Sequence, residues 1–191
     1  RLGWKDSDFI VLHGGNMGFK QGLENVLHTA DLARSKPGLR FVLQGDGNQR
    51  PHLEQMVAEL GLSNVEFRPV APQAEFQAVL GAADALLLNL RGSVEDMALP
   101  CKLTSYFVAG VPVVAAVSPT SEAASELAAA RAGISVLPDN PAQMLEAIEA
   151  LRRDPARAAE LGSAGRVFAA DHMSETSVID RFEHLLEDAL A

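Results

Sequence analysis

Short runs that are apolar at nearly every position alternate along this chain with longer stretches whose apolar residues recur at helical spacing. The apolar runs cover residues 9–12, 39–43, 65–67, 85–90, 112–116 and 134–137. Each is too short for a helix and apolar on nearly every position, which predicts strands buried on both faces. Helical periodicity covers 22–34, 50–60, 73–82, 101–109, 121–130 and 141–153. Strict alternation of the two predicts right-handed crossovers, a parallel sheet and helices on both of its faces. The fold class is α/β, a doubly wound sheet of about six strands.

Local punctuation supports these divisions. Asn140-Pro141 and Asp154-Pro155 each read as a cap followed by Pro at the first helical position. Gly61, Gly110 and Gly133 stand where helices are expected to stop before the next strand. Beyond Pro155 no strand pattern remains, only helix over 155–170 and again over 175–189, with Ser174 as the expected N-cap of the second. No internal repeat or long linker breaks the chain. One domain is expected over 1–191, with a core at 8–153 and C-terminal helices at 155–190.

Composition narrows the class further. Hydrophobic residues make up 48% of the 191 positions, which excludes a disordered chain. No apolar run approaches the ~20 residues of a membrane-spanning helix. Sixteen Lys and Arg against 25 Asp and Glu leave a net charge of −9. That balance argues against nucleic acid as a partner, since phosphate backbones are bound by many cations. A small phosphorylated ligand needs only a few local donors. Cys101 is the single cysteine, so no internal disulfide can form and a reducing compartment fits best. The first residue is Arg1 and no targeting segment follows, so a portion of something longer is expected. Trp4 is expected to anchor packing near the terminus.

In an open parallel sheet, ligands bind beyond the carboxyl ends of the strands. After the first run stands Gly14-Gly15-Asn16-Met17-Gly18-Phe19-Lys20-Gln21-Gly22. Its glycines allow close backbone approach, and the next helix would aim free N–H groups at an anion. The segment lacks the Gly-Lys-Ser/Thr of a P-loop and the glycine spacing of a dinucleotide site. Such turns also serve packing alone. Gly45-Asp46-Gly47 after the second run reads as a tight turn in which Asp46 bonds its own backbone.

The fourth run leads into a long loop, Arg91 to Pro100, and then Cys101-Lys102-Leu103-Thr104-Ser105. With Pro100 opening the helix, the first-turn N–H groups and the Lys102 ammonium together suit a phosphate. An ordinary capped helix with a solvated lysine would look the same. His13, His28, His52, His172 and His184 share no metal-ligand spacing with one another or with Cys101. No Gly-x-Ser-x-Gly elbow occurs, and Cys101 has no base visible nearby.

Four ordered segments carry a resemblance to a known family. They are FIVLHGGNMGFKQGLENVLHTA, FVLQGDGNQRPHLEQMVAELGLSNVEFRPV, LPCKLTSYFVAGVPVVAA and PDNPAQMLEAIEALRRDPARAAELGSAGRVF. Together they resemble the C-terminal, donor-binding domain of retaining GT-B glycosyltransferases, with its Rossmann-like sheet. The resemblance covers essentially the whole chain. It implies transfer of a sugar from a nucleotide-sugar to a polysaccharide or lipid-linked acceptor, with retention of configuration. It implies no metal and no cofactor beyond the donor itself, because positive side chains and helix N-termini stabilise the leaving diphosphate. The acceptor would lie on an N-terminal domain that this chain does not contain. The whole protein would be cytoplasmic, with peripheral contact at the inner face of the cell membrane.

The sequence departs from many relatives at specific positions. An Arg and a Lys of the first loop are replaced by Asn16 and Gln21, with Lys20 one place earlier. Two glutamates eight positions apart correspond here to Met97 and Ser105. A subgroup typified by colanic-acid and exopolysaccharide transferases reads Pro-Ser-Lys at Pro100-Cys101-Lys102 and carries a hydroxyl in the second slot. The resemblance therefore implies phosphate contacts from Lys102, Ser105, Lys20, Asn16 and the backbone at Gly14, Gly15, Gly45, Leu99, Pro100 and Cys101. It assigns the sugar contact to Glu95 or Asp96, and the base to backbone near Val70. Catalytic roles fall to Glu95, Asp96 and Lys102. Two rival readings stand beside it: a non-catalytic module that binds nucleotides or sugar phosphates, motivated by the replaced positions, and a nucleotide-sugar epimerase.

Overall fold

The computed structural model describes residues 2–93 and 101–174, together with 176, 177, 179, 183 and 186. Among the described residues, six parallel strands form one sheet. They are β1 (Phe9–Gly14), β2 (Leu39–Gln44), β3 (Val65–Arg68), β4 (Ala85–Asn89), β5 (Val113–Ala116) and β6 (Gly133–Val136). The helices are α1 (Glu24–Leu32), α2 (Arg50–Leu60), α3 (Gln73–Gly81), α4 (Cys101–Ala109), α5 (Glu122–Ala130), α6 (Pro141–Arg153) and α7 (Pro155–His172). The doubly wound α/β reading is what the structure shows.

Strands run in the order β3-β2-β1-β4-β5-β6. The chain winds outward from β1 to β3, returns to β4 beside β1, and winds out again to β6. Loops leaving β1 and β4 therefore diverge, and the crevice between them is where such sheets bind ligands.

Strand residues point alternately to two cores, as a period of two requires. Ile10, Leu12, Leu86, Leu88, Val113 and Ala115 face Leu80 of α3, Leu103 and Phe107 of α4 and Leu127 of α5. Val11, Ala85, Leu87, Val114 and Ala116 face α1, α2 and α6 through Leu27, Leu53 and Ile148. Burial of each large side chain contributes roughly 1.5–3 kcal/mol, so both faces drive folding. Helix α7 spans the two, with Leu161 in one core and Ala169 in the other. It also closes the end of α4: Arg166 Nη2 donates to the Ala109 carbonyl at 2.9 Å.

The expected caps form. Asn140 Oδ1 accepts from Gln143 N–H at 3.0 Å, Asp154 Oδ1 from Arg157 N–H at 2.9 Å, and Ser174 Oγ from Ser177 N–H at 3.2 Å. Trp4 is buried; its Nε1 donates to Glu66 Oε2 at 3.1 Å, and Arg68 stacks over its ring at 4.7 Å. It anchors the N-terminal segment on β3.

Two boundaries differ from the sequence expectation. The helix expected from Gly22 is preceded by a 3₁₀ turn, Phe19–Gln21, and Gly22 is left-handed at φ 54°. Buried Asn89 holds that break, donating to the Gln21 and Gly22 carbonyls at 2.6 and 2.9 Å. Gly133 does not stop a helix but opens β6, while Arg131 takes the left-handed position closing α5. Glycine is needed at 133 for space, since a Cβ there would lie 1.9 Å from the Val113 carbonyl oxygen.

Candidate functional site

The site is built where the loops after β1 and β2 interlock. Gly15 N–H donates to the Gln44 carbonyl at 2.8 Å, Met17 N–H to Asp46 at 2.8 Å, and Gln49 N–H to Met17 at 3.0 Å. Gly15 and Gly45 have φ of 117° and 141°, and a Cβ on Gly45 would sit 1.9 Å from the Gly15 oxygen. Only glycine permits this crossing. Arg50 braces it, donating from Nη1 to the Gly45 carbonyl at 2.7 Å and to the Arg68 carbonyl at 3.1 Å. Asp46 makes the expected local turn, its Oδ1 accepting Gly47 N–H at 2.8 Å.

Three glycine amides of the first loop are engaged within the protein. Gly14 N–H is taken by the Tyr106 hydroxyl at 3.1 Å, Gly15 N–H by Gln44, and Gly18 N–H by Gln21 Oε1 at 3.1 Å. These glycines supply room and shape. On the opposite wall α4 begins at Cys101. First-turn N–H groups have no intrahelical acceptor, so the helix presents partial positive charge there.

Lys102 reaches from α4 back across the crevice. Its Nζ lies 3.2 Å from His13 Nε2 and 3.5 Å from the Asn16 carbonyl oxygen. Its stem passes over Gly15, where an added Cβ would meet Lys102 Cε at 3.1 Å. Burial lowers the Lys102 pKa to about 8, so the ammonium persists at neutral pH but gives up its proton readily. His13, at the carboxyl end of β1, is fully buried. Burial first, and the Lys102 charge second, lower its pKa to about 3 and keep the ring neutral.

Tyr106, one turn beyond Lys102 on α4, is also fully buried. Its hydroxyl donates to the Leu87 carbonyl at 3.1 Å while accepting from Gly14, linking α4 to β1 and β4. Desolvation holds the phenol above its usual pKa, so it stays an un-ionised link.

Beside this contact a groove of about 400 Å³ is lined by Asn16, Gly18, Phe19, Lys20, Gln21 and Asn48. Arg91 braces Phe19 of that lining: the guanidinium stacks on Phe19 at 4.2 Å, donates to the Phe19 carbonyl at 2.7 Å and pairs with Glu24.

Gly14, Gly15, Asn16, Gly45 and Lys102 thus converge on one rim, with Lys20 along the adjoining groove. Ser105 follows Lys102 by three residues on the same helix and is half-buried. Val70 is exposed two residues past Arg68, whose carbonyl accepts Gly45 N–H at 3.1 Å. Glu95, Asp96, Leu99 and Pro100 lie outside the described residues, as does the Cys101 side chain. From the sequence, His13 is weighed only as a metal ligand, and Tyr106 and Asn89 receive no role. A polar residue in the otherwise apolar run FIVLHGG was the one available signal. Among the described residues, no group of three or more His, Cys, Asp or Glu is placed to hold a metal ion, and no helix is long and apolar enough to cross a membrane.

The chain matches the model of the family described as Glycosyl transferases group 1 over residues 8–154. It is 37% identical over 127 residues to WcaI of Escherichia coli (strain K12), whose name assigns it to colanic acid biosynthesis as a glycosyl transferase. That alignment covers 66% of this chain and 30% of WcaI. The 2-deoxystreptamine glucosyltransferase of Streptomyces kanamyceticus is 31% identical over 162 residues, 81% of this chain and 38% of the relative. In structure the chain is similar to Anabaena Alr3699/HepE in complex with UDP, with a TM-score of 0.79 at 20% identity over 95% of this chain and 49% of that one. That likeness establishes the GT-B type of fold. The chain spans less than half the length of each of these proteins. With most of its length inside the family model and the expected sheet around the β1–α4 crevice, this protein belongs to the group 1 glycosyl transferases.

Proposed function

We propose that this chain binds the nucleotide diphosphate of a nucleotide-sugar donor, within a glycosyltransferase that passes the sugar to a polysaccharide or lipid-linked acceptor with retention of configuration. The observation that carries this reading is the Lys102 ammonium, held 3.5 Å from the Asn16 carbonyl where the β1 loop meets the start of α4. When the bond from sugar to phosphate breaks, negative charge builds on the diphosphate. A fixed ammonium and the amides of α4 stabilise that charge without a metal ion, and fixed donors need no reorganisation as it develops.

Lys20, Asn16 and Ser105 complete the polar wall, and the backbone near Val70 meets the base. Glu95 or Asp96 is assigned to the sugar. The HepE complex with UDP and the naming of WcaI for colanic acid biosynthesis support the donor and acceptor classes. Acceptor binding falls to an N-terminal domain, so the 191-residue chain binds donor without transferring sugar. Lipid-linked acceptors fit a cytoplasmic protein working at the inner face of the cell membrane.

Thermal melting with UDP, GDP, ADP and dTDP tests this reading. At ten times its dissociation constant a ligand adds ~1.4 kcal/mol, which raises the melting temperature of a chain this size by roughly 3–5 °C. Lys102→Met is expected to diminish the shift. Flat curves with all four at millimolar concentration would overturn the assignment.

A further inference from the structure

Resting on that assignment of Lys102, we propose that His13 is its positioning residue: the ring Nε2 and the Asn16 carbonyl hold the lysine ammonium at the rim of the sheet, leaving its third N–H for the phosphate.

An ammonium has three donors and no acceptor. Its 3.2 Å contact therefore makes His13 Nε2 the acceptor, with the ring proton on Nδ1. Nδ1 is buried without a hydrogen-bond partner among the described residues, and the nearby Leu87 carbonyl favours a protonated ring. Nε2 also lies 3.3 Å from the Asn16 oxygen. Two acceptors that close would repel one another, and the shared ammonium relieves this. The Asn16 carbonyl takes a second donor, and among the described residues the third has no partner.

Burying an imidazole in a strand costs free energy unless its polar atoms are used. His13 stands opposite Leu43 in the sheet, a position that an aliphatic side chain would fill more cheaply. The ring instead engages the Lys102 ammonium. A lysine side chain carries about 2 kcal/mol of rotamer entropy. Gly15 beneath the stem and His13 beside the ammonium restrict it before any ligand arrives, so less is lost on binding.

The experiment titrates the 191-residue chain calorimetrically with UDP, GDP, ADP and dTDP and carries the tightest binder forward. His13→Leu removes the acceptor, whereas His13→Gln keeps one at the reach of Nε2. The proposal expects the Leu variant to bind roughly tenfold more weakly and the Gln variant to stay within about threefold of the parent. Equal loss in both, or no loss in His13→Leu, would overturn it and leave the role of Lys102 intact. Unaltered binding by Lys102→Met, or no binding by any of the four, would instead remove the assignment of Lys102 and the proposal with it. ¹⁵N spectra of the imidazole in the unsubstituted chain at neutral pH give a reading that needs no variant. An unprotonated Nε2 and a protonated Nδ1 are expected, and a proton on Nε2 would refute the contact.

Discussion

Gly15 and Lys102 occupy one space: the missing side chain of the first is filled by the stem of the second, whose Cε lies 3.1 Å from where a Cβ would stand. The residues belong to different halves of the doubly wound sheet. Their contact closes the crevice between β1 and β4 into a site with a cation on its floor.

Nucleoside diphosphate affinity is expected to fall as pH rises above about 8. The free chain loses the Lys102 proton near that value, and an anion binds the charged form. Above it, a proton must be taken up on binding, which weakens affinity roughly tenfold per pH unit until the bound-state pKa is reached. Calorimetry between about pH 7 and 9.5 should show this slope in the parent and its absence in Lys102→Met.

The His13 ring contributes a separate dependence, on stability. Its folded pKa of about 3 lies below the ordinary 6.5, so the neutral ring is the folded form. The contribution is complete above pH 6.5 and is lost as pH falls toward 3, because the unfolded chain takes up the proton first. The slope is roughly 1.4 kcal/mol per pH unit inside that window. Urea unfolding of the parent and of His13→Gln, compared from about pH 7 to 4, isolates this part as the difference between them.

Replacing Tyr106 by Phe removes the acceptor for Gly14 N–H and the donor to Leu87 at one stroke. A buried amide left without a partner costs about 1–3 kcal/mol, and each kcal/mol lowers the melting temperature by roughly 2–4 °C at this chain length. A melt indistinguishable from the parent would show that neither bond contributes.

Gly45→Ala and Gly61→Ala separate crowding from backbone preference. Both glycines have positive φ, but a Cβ on Gly45 would fall 1.9 Å from the Gly15 oxygen, whereas nothing lies within 4 Å of one on Gly61. The Gly61 variant should lose ~1–2 kcal/mol, the cost of a left-handed non-glycine residue. The Gly45 variant should lose ~3 kcal/mol or more, since backbone must also shift. Denaturant midpoints with unchanged slopes would record both.

Local signals explain why so much of the fold was legible. The four inner strands are mostly apolar runs buried on both sides, the edge strands β3 and β6 being only half-buried, and each cap at Asn140, Asp154 and Ser174 acts within three residues of itself. What escaped is non-local. Asn89 breaks the first helix by bonding carbonyls at Gln21 and Gly22, far away in the chain. Gly133 looked like a helix stop because its neighbour on β5 could not be seen from spacing. Lys102 is legible as a cation near the start of a helix, and it lies in the first turn of α4. Its partner His13 was weighed only as a metal ligand, and nothing in the spacing of those two residues says that they touch.

Helix α4 is fastened at its middle and its end: Tyr106 ties it to β1 and β4, and Arg166 of α7 grips the Ala109 carbonyl at its last turn. Lys102 is thereby carried on a helix bolted to the strands and to α7, so the place of its ammonium is set by the core of the domain.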